Sequence, residues 1–284
     1  MNILPENCDP RNIYNIDETG LTNVPSTTQR VIAQKGSKNV ATIQVGERGV
    51  LTTVISCISA SGNLHPPFFV LKGERIAADF KNIVPESFGY ASTKSGYIDK
   101  SSFVNFLIHF NKHRENKNMV AYIFLDGHST HHCHETLTYC SANQIELICI
   151  PPHTSHRLQP LDTHFNAPLK RRWTRLISDF LREEKSLKIN RYQFVPLLKK
   201  LWEMMHDRGL IVNAFEHTGI YPLKNTVKQA EYAKSLNFKA NDVSNVCTRA
   251  DVENARQVVP SSVKQFPMSI INHIIQELWI LMKV

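Results

Sequence analysis

Val120-Ala121-Tyr122-Ile123-Phe124-Leu125-Asp126-Gly127 is the stretch on which the reading of the fold turns. Its apolar residues run without interruption until a carboxylate stops them. A strand with one wet face alternates apolar and polar residues, whereas a strand covered on both faces does not. The run therefore suits the centre of a sheet with helices on either side. Ile145 to Ile150 is a second run of this kind, ended by Pro151-Pro152. Between the two, His131 to Asn143 fits the crossover helix that neighbouring parallel strands require.

Outward from this centre the first half reads as strands. Ile13-Tyr14-Asn15-Ile16-Asp17 is a short β-rich run leading into Glu18-Thr19-Gly20. Val50 to Ser59 is rich in β-branched residues, Gly62-Asn63 makes a turn, and Pro67 to Leu71 returns, so the pair reads as a hairpin. Ser101 or Ser102 is placed to cap a helix carrying Phe103, Phe106, Leu107 and Phe110. From Pro168, expected at a helix start or kink, Trp173, Leu176, Ile177 and Phe180 share one helical face. Pro196 to His206 is a further helix, and Gly219 and Pro222 then break the chain. A polar stretch from about Asn225 to Pro260 leads to an apolar amphipathic helix, Ile270 to Met282. That helix is expected to pack on the main domain; exposed, its stripe would be a self-association surface, the basis for expecting a homo-oligomer. The fold class expected is α/β: one mixed sheet flanked by helices, with a helical C-terminal extension.

Composition sets bounds on this reading. The 284 residues, 42% hydrophobic and 20% charged, can bury a sizeable core in one or two domains. Whole-chain disorder, collagen and a small disulfide scaffold are excluded. No stretch approaches the ~18 uncharged apolar residues of a membrane span. Met1 to Asn12 holds no apolar run long enough for a signal peptide. The six cysteines form no CxxC pair, so reduced thiols in the cytosol or nucleus are expected. The net charge of +8 is unevenly placed. Residues 1–165 hold 14 basic and 14 acidic side chains, whereas 166–224 hold 12 and 6.

Three carboxylates stand where an apolar run stops: Asp17, Asp126 and Asp162, the last after Gln159-Pro160-Leu161. Strand ends are where active groups gather in sheets flanked by helices. Three carboxylates brought together repel unless a cation sits between them. Mg²⁺ takes such oxygen ligands together with phosphate and water. Two ions about 3.5–4 Å apart suit phosphodiester displacement. On spacing alone the commoner role of Asp17 and Asp162 is that of turn or N-cap residues.

The residues around the acids carry a resemblance. Ile16-Asp17-Glu18-Thr19-Gly20 resembles the first acidic motif of the pogo/Tigger/jerky branch of DDE-type transposases. Phe124 to His131 resembles the second motif. Pro151-Pro152-His153-Thr154-Ser155-His156-Arg157-Leu158-Gln159-Pro160-Leu161-Asp162 is similar to the third almost residue for residue. Ala214 to Pro222 looks like the segment that closes the family's domain. The four stand in order, with 35 residues between Asp126 and Asp162. The resemblance implies a ribonuclease-H-like DDE endonuclease domain over residues 10–225, followed by a tail over 226–284. It implies a triad of Asp17, Asp126 and Asp162 holding two Mg²⁺ or Mn²⁺ ions, with DNA as substrate in the nucleus. The rival expectation is a domesticated, non-catalytic nucleic-acid-binding protein that retains the fold. Family members carry helix-turn-helix domains ahead of the first acid. The 16 residues before Asp17 cannot hold one, so a fragment, a partial gene or a domesticated remnant is expected. Thr163-His164-Phe165-Asn166 and Arg157 also depart from the family pattern.

The remaining candidates are less specific. His128, His131, His132 and His134 cluster around Cys133, and His153, His156 and His164 follow, without the ligand spacing of a structural zinc site. His128 and His156 are candidates for contact with phosphate or water. The basic run from Lys170 to Arg191 reads both as a solvated helix face and as a phosphate-tracking surface, with Lys170, Arg171, Arg172 and Arg175 nearest the third acid. Phe165 and Trp173 are candidates for base stacking, although aromatics at helical spacing are more often core.

Overall fold

The structure, a computed structural model, describes residues 4–5, 8–25, 49–73, 75–127, 133–150 and 154–222. The tail from 226 and the helix expected over Ile270 to Met282 lie outside the described residues, as do His128, His131, His132 and His153.

Six strands form one sheet: β1 (Ile13–Thr22), β2 (Leu51–Ser59), β3 (Phe68–Lys72), β4 (Gly89–Thr93), β5 (Ala121–Leu125) and β6 (Ile145–Cys149). Their order across the sheet is β4-β3-β2-β1-β5-β6. The expected hairpin forms, with β2 antiparallel to β3. β1 runs antiparallel to β2 over its length, from Tyr14 opposite Ser59 to Thr22 opposite Leu51. β1, β5 and β6 are parallel neighbours, and α2 (His134–Ala142) is the crossover between the last two.

The sheet is covered on both faces, as the apolar run of β5 requires. Side chains alternate along a strand, so one strand serves two cores. Tyr14, Ile16, Ile55, Cys57, Phe68, Val70, Ile123 and Leu125 pack on one face against Phe103, Phe106, Leu107 and Phe110 of α1 (Lys100–His113). Ile13, Leu21, Val54, Ile58, Phe69, Phe124 and Ile148 pack on the other face. There they meet α4 (Asn166–Glu183), α5 (Arg191–Met205) and α6 (Arg208–Thr218). A short helix, α3 (Ser155–Leu158), precedes α4.

Two helix starts differ from expectation. The N-cap of α1 is Asp99, whose carboxylate accepts from the Ser102 N–H at 2.8 Å while the Ser102 hydroxyl answers the Asp99 N–H at 2.8 Å. Ser102 is thus the third helical residue of a capping box, which satisfies two otherwise unpaired donors. α5 starts at Arg191, five residues ahead of Pro196, because Asn190 and Gln193 form the same reciprocal cap. Pro196 sits inside the helix, where it has no N–H to give to the carbonyl of Tyr192.

The entry to α4 is widened. Leu161–Phe165 form a π-helical turn in which the Asn166 N–H reaches back five residues to the Leu161 carbonyl. Pro168, expected at a helix start or kink, is the third residue of α4 and has no N–H to give to the carbonyl of His164. The slackened turn is where the third acid sits. π-turns of this kind are frequent at functional sites.

Candidate active site

Asp17 does not end a strand. β1 continues five residues past it, because its antiparallel pairing with β2 runs on to Thr22. What stops near Asp17 is the parallel pairing on the other side, whose last rung joins Asn15 to Phe124. Asp17 and Asp126 each lie two residues beyond that rung. The acid therefore stands in mid-strand, at the place where β1 loses one neighbour. Asn15 and Asp17 share strand parity with Ile13 and Leu21, which face α4.

A buried amide aligns the segments that carry the acids. Asn15 is fully buried. Its Nδ2 donates to the Phe124 carbonyl at 3.0 Å, and its Oδ1 accepts from the Leu161 N–H at 2.9 Å. One side chain thus ties β1 to β5 and to the π turn, within two residues of Asp17, Asp126 and Asp162. Removing it would orphan two buried backbone groups at once, at about 1–3 kcal/mol each.

A second amide joins two of the acids directly. Asn166, four residues after Asp162, donates from Nδ2 to Asp17 Oδ2 at 2.5 Å and to Asp162 Oδ1 at 3.2 Å. The residue is 6% exposed, and its Oδ1 has no hydrogen-bond partner among the described residues. Neither Asn15 nor Asn166 was singled out as functional in the sequence. Asn15 does leave a signal there, as an amide at a core-facing position of an otherwise apolar strand.

The electrostatics follow from this packing. Burial, then the charges of Asp162, Glu18 and Asp126, push the Asp17 carboxyl well above the usual carboxylate range, against the opposing hydrogen bond from Asn166. Asp126 acts on it more weakly than Asp162 does. Asp126 also helps burial lift the Cys149 thiol to about 11. The acids form a close pair with a more loosely coupled third. Among the described residues, no group of three or more His, Cys, Asp or Glu side chains is gathered tightly enough to hold a metal ion. The donor set still suits a hard cation. It offers carboxylate oxygens from two segments, among them an Asp17 carboxyl whose pKa is raised by burial and then by neighbouring negative charge, and an unpartnered amide oxygen beside them.

The other candidates separate. His156 is exposed on α3, and His164 on the π turn meets His217 of α6 in a tilted contact, 4.7 Å between ring centres. Cys133 is buried, with its sulfur 3.1 Å from the Thr136 hydroxyl. Phe165 and Trp173 belong to the core. Phe165 meets Trp202 edge to face, and the Trp173 indole donates to the Thr22 carbonyl at 2.8 Å, so neither is free to stack on a base. Along α4, Lys170, Arg171 and Arg175 are exposed. Arg172 is half-buried and turned the other way, donating to the Met204 carbonyl and lying 3.2 Å from the Met205 sulfur.

A mixed sheet of this order with helices on both faces is a ribonuclease-H-like α/β fold. The chain belongs to the family of DDE superfamily endonucleases, whose pattern it matches over residues 48–214. Asp126 and Asp162 lie inside the matched span, and Asp17 lies ahead of it. The structure resembles that of the Mos1 strand transfer complex, with a TM-score of 0.52 and 13% identity over 74% of this chain and 52% of that one. It also resembles the Mos1 mariner paired end complexes with Mn and with Mg, each at a TM-score of 0.50. Identity there is 13% and 12%, over 74% and 73% of this chain and 53% and 52% of theirs. At such identities the likeness is one of fold, and the chain spans about half the length of these transposases. A Cochliobolus lunatus protein named MFS-type transporter clz9 is 28% identical over 215 residues, which make up 75% of this chain and 23% of that protein. Among the described residues, no helix is long and apolar enough to cross a membrane.

Proposed function

We propose that this chain is a DDE transposase catalytic core of the pogo/Tigger branch that binds DNA and cleaves or transfers its phosphodiester bonds. Residues 10–225 form the catalytic domain, 226–284 form a tail, and the protein acts in the nucleus. Asp17, Asp126 and Asp162 are its metal ligands, for two Mg²⁺ or Mn²⁺ ions. The observation that carries this reading is the meeting of Asp17 and Asp162 on the one amide of Asn166, although Asn166 lies 149 positions along the chain from Asp17. Like charges brought together on one amide repel, and a turn or cap role would not require it; Asp17 is half-buried and Asp162 exposed. The Mos1 complexes with Mn and Mg and the strand transfer complex support a divalent-metal reaction on DNA.

Asp17, Asp126 and Asp162 would hold the divalent cations, which when bound would supply positive charge to the oxygens of the displacement. The protein does the rest. Asn15 sets the spacing of the three acid-bearing segments. Lys170, Arg171 and Arg175 lie on α4, which follows the turn carrying Asp162, and present charge to phosphates independently of sequence. A water or a 3′-hydroxyl oxygen forms the new bond to phosphorus, and the bond to the departing ester oxygen breaks.

The test is nicking of supercoiled DNA with Mg²⁺ or Mn²⁺ by the full chain and by Asp126→Asn. Wild type should nick, and the variant should lose more than about 100-fold of that rate, beyond what loss of a supporting residue costs. Equal cleavage by the two would refute the triad. DNA binding with no cleavage by either would identify the domesticated, non-catalytic alternative.

A further inference from the structure

We propose that Asn166 is a metal-linked amide switch: an N–H donor to Asp17 and Asp162 when no cation is present, and an oxygen donor to the cation when one is bound. The inference rests on the reading of Asp17 and Asp162 as metal ligands and adds a ligand that the triad does not contain.

Three observations carry it. The Asn166 Nδ2 spans the two carboxylates at 2.5 and 3.2 Å, the place a cation would occupy between them. The same amide's Oδ1 is buried and has no partner among the described residues. Asn166 also opens α4 directly after the π turn, so its backbone is fixed while its terminal amide remains a two-fold rotor.

Polarity makes these a switch. With two carboxylates and no cation, only the N–H side of the amide is attractive, and the oxygen is left without a partner. With a cation between the carboxylates, the N–H side is repelled and the oxygen is attracted. The two orientations have nearly the same shape, so the exchange needs no backbone movement. Lys or Arg at this position would neutralise the pair permanently and exclude the metal. A neutral amide holds the two acids together and still yields the site. Amide oxygens are ordinary ligands of hard cations.

The experiment is calorimetric titration of the full chain with MnCl₂, for wild type, Asn166→Leu, Asn166→Asp and Asp162→Asn, with a thermal melt in EDTA for each. Asn166→Leu has neither donor nor oxygen and should bind Mn²⁺ about 10–100-fold more weakly. Asn166→Asp keeps an oxygen and should bind at least as tightly as wild type, while melting lower in EDTA because three carboxylates then meet. A wild-type readout covers a variant that does not fold. The Asn166 side-chain amide protons, followed by ¹⁵N NMR, should shift as MgCl₂ saturates the site. Unchanged Mn²⁺ affinity in Asn166→Leu, or amide protons unmoved at saturation, would overturn the switch alone, provided Asp162→Asn abolishes binding. Absence of Mn²⁺ binding in wild type, or binding that survives Asp162→Asn, would overturn the triad reading with it.

Discussion

The acid end of the sheet and the basic face of α4 begin at the same turn and are built in opposite ways. The acids are held by buried amides. Asn15 joins three segments, Asn166 joins two carboxylates, and each contact spans more than a hundred residues except the one from Asn166 to Asp162. The bases Lys170, Arg171 and Arg175 extend into solvent, and the helical period alone places them. Chemistry at a phosphorus atom needs oxygens placed to a fraction of an ångström, whereas holding a phosphate chain needs only charge within a Debye length. On the proposed function, tertiary hydrogen bonds would serve the first task and helix geometry the second.

The contrast can be broken most severely at Asn15. Asn15→Leu should lower unfolding stability by about 2–5 kcal/mol, since it strands the Phe124 carbonyl and the Leu161 N–H together. A shifted urea midpoint reads this out. A variant as stable as wild type would show that the three segments are held by packing alone.

On the basic side, Arg171→Glu with Arg175→Glu should leave the melting temperature nearly unchanged. It should weaken DNA binding by roughly 10- to 100-fold at low salt and reduce the salt slope by about 2. Fluorescence anisotropy across a salt series measures both. An unaltered slope would return this face to ordinary solvation.

Asp17 sharpens the comparison through pH. Its folded carboxyl titrates well above the unfolded value of 3.8, so the folded state holds the extra proton. The associated stability is full below the unfolded value and is lost as pH rises through the folded one. Without divalent metal at neutral pH or above, Asp17→Asn should therefore melt higher than wild type, by about 2–4 °C per kcal/mol of repulsion relieved. The gain should vanish near pH 3. A lower melting point for the variant at neutral pH would mean that Asn166 more than offsets the repulsion.

The smallest effect is expected at Arg172. Arg172→Gln should cost about 1 kcal/mol through lost contacts with the end of α5 and hardly change DNA affinity. An affinity loss as large as that of the exposed pair would place Arg172 on the DNA side of the helix after all.

Much of this was legible in the chain. The uninterrupted run at Tyr122 to Leu125 announced a doubly covered strand, the turn at Gly62-Asn63 announced the hairpin, and Trp173, Leu176 and Ile177 announced the buried stripe of α4. The errors fell where a neighbour decides. Asp17 reads as a strand end because polar residues follow it, yet β2 supplies pairing partners through Thr22. Ser102 reads as a cap, but its hydroxyl bonds back to Asp99. Arg172 reads as one of four equivalent bases until α5 takes it as a hydrogen-bond donor.

By itself, the sequence determined the layers of the fold, the candidate acids and the position of the basic helix. Period, composition and motif are local properties, and they survive in one dimension. Only the tertiary structure decided that Asp17 and Asp162 meet, that Asn15 spaces the segments bearing the acids, and that Asn166 stands between two carboxylates. Those are contacts between residues far apart in the chain, fixed by the register of β1 on β5 and by one widened turn. An asparagine looks the same in sequence whether its amide faces water or a pair of acids.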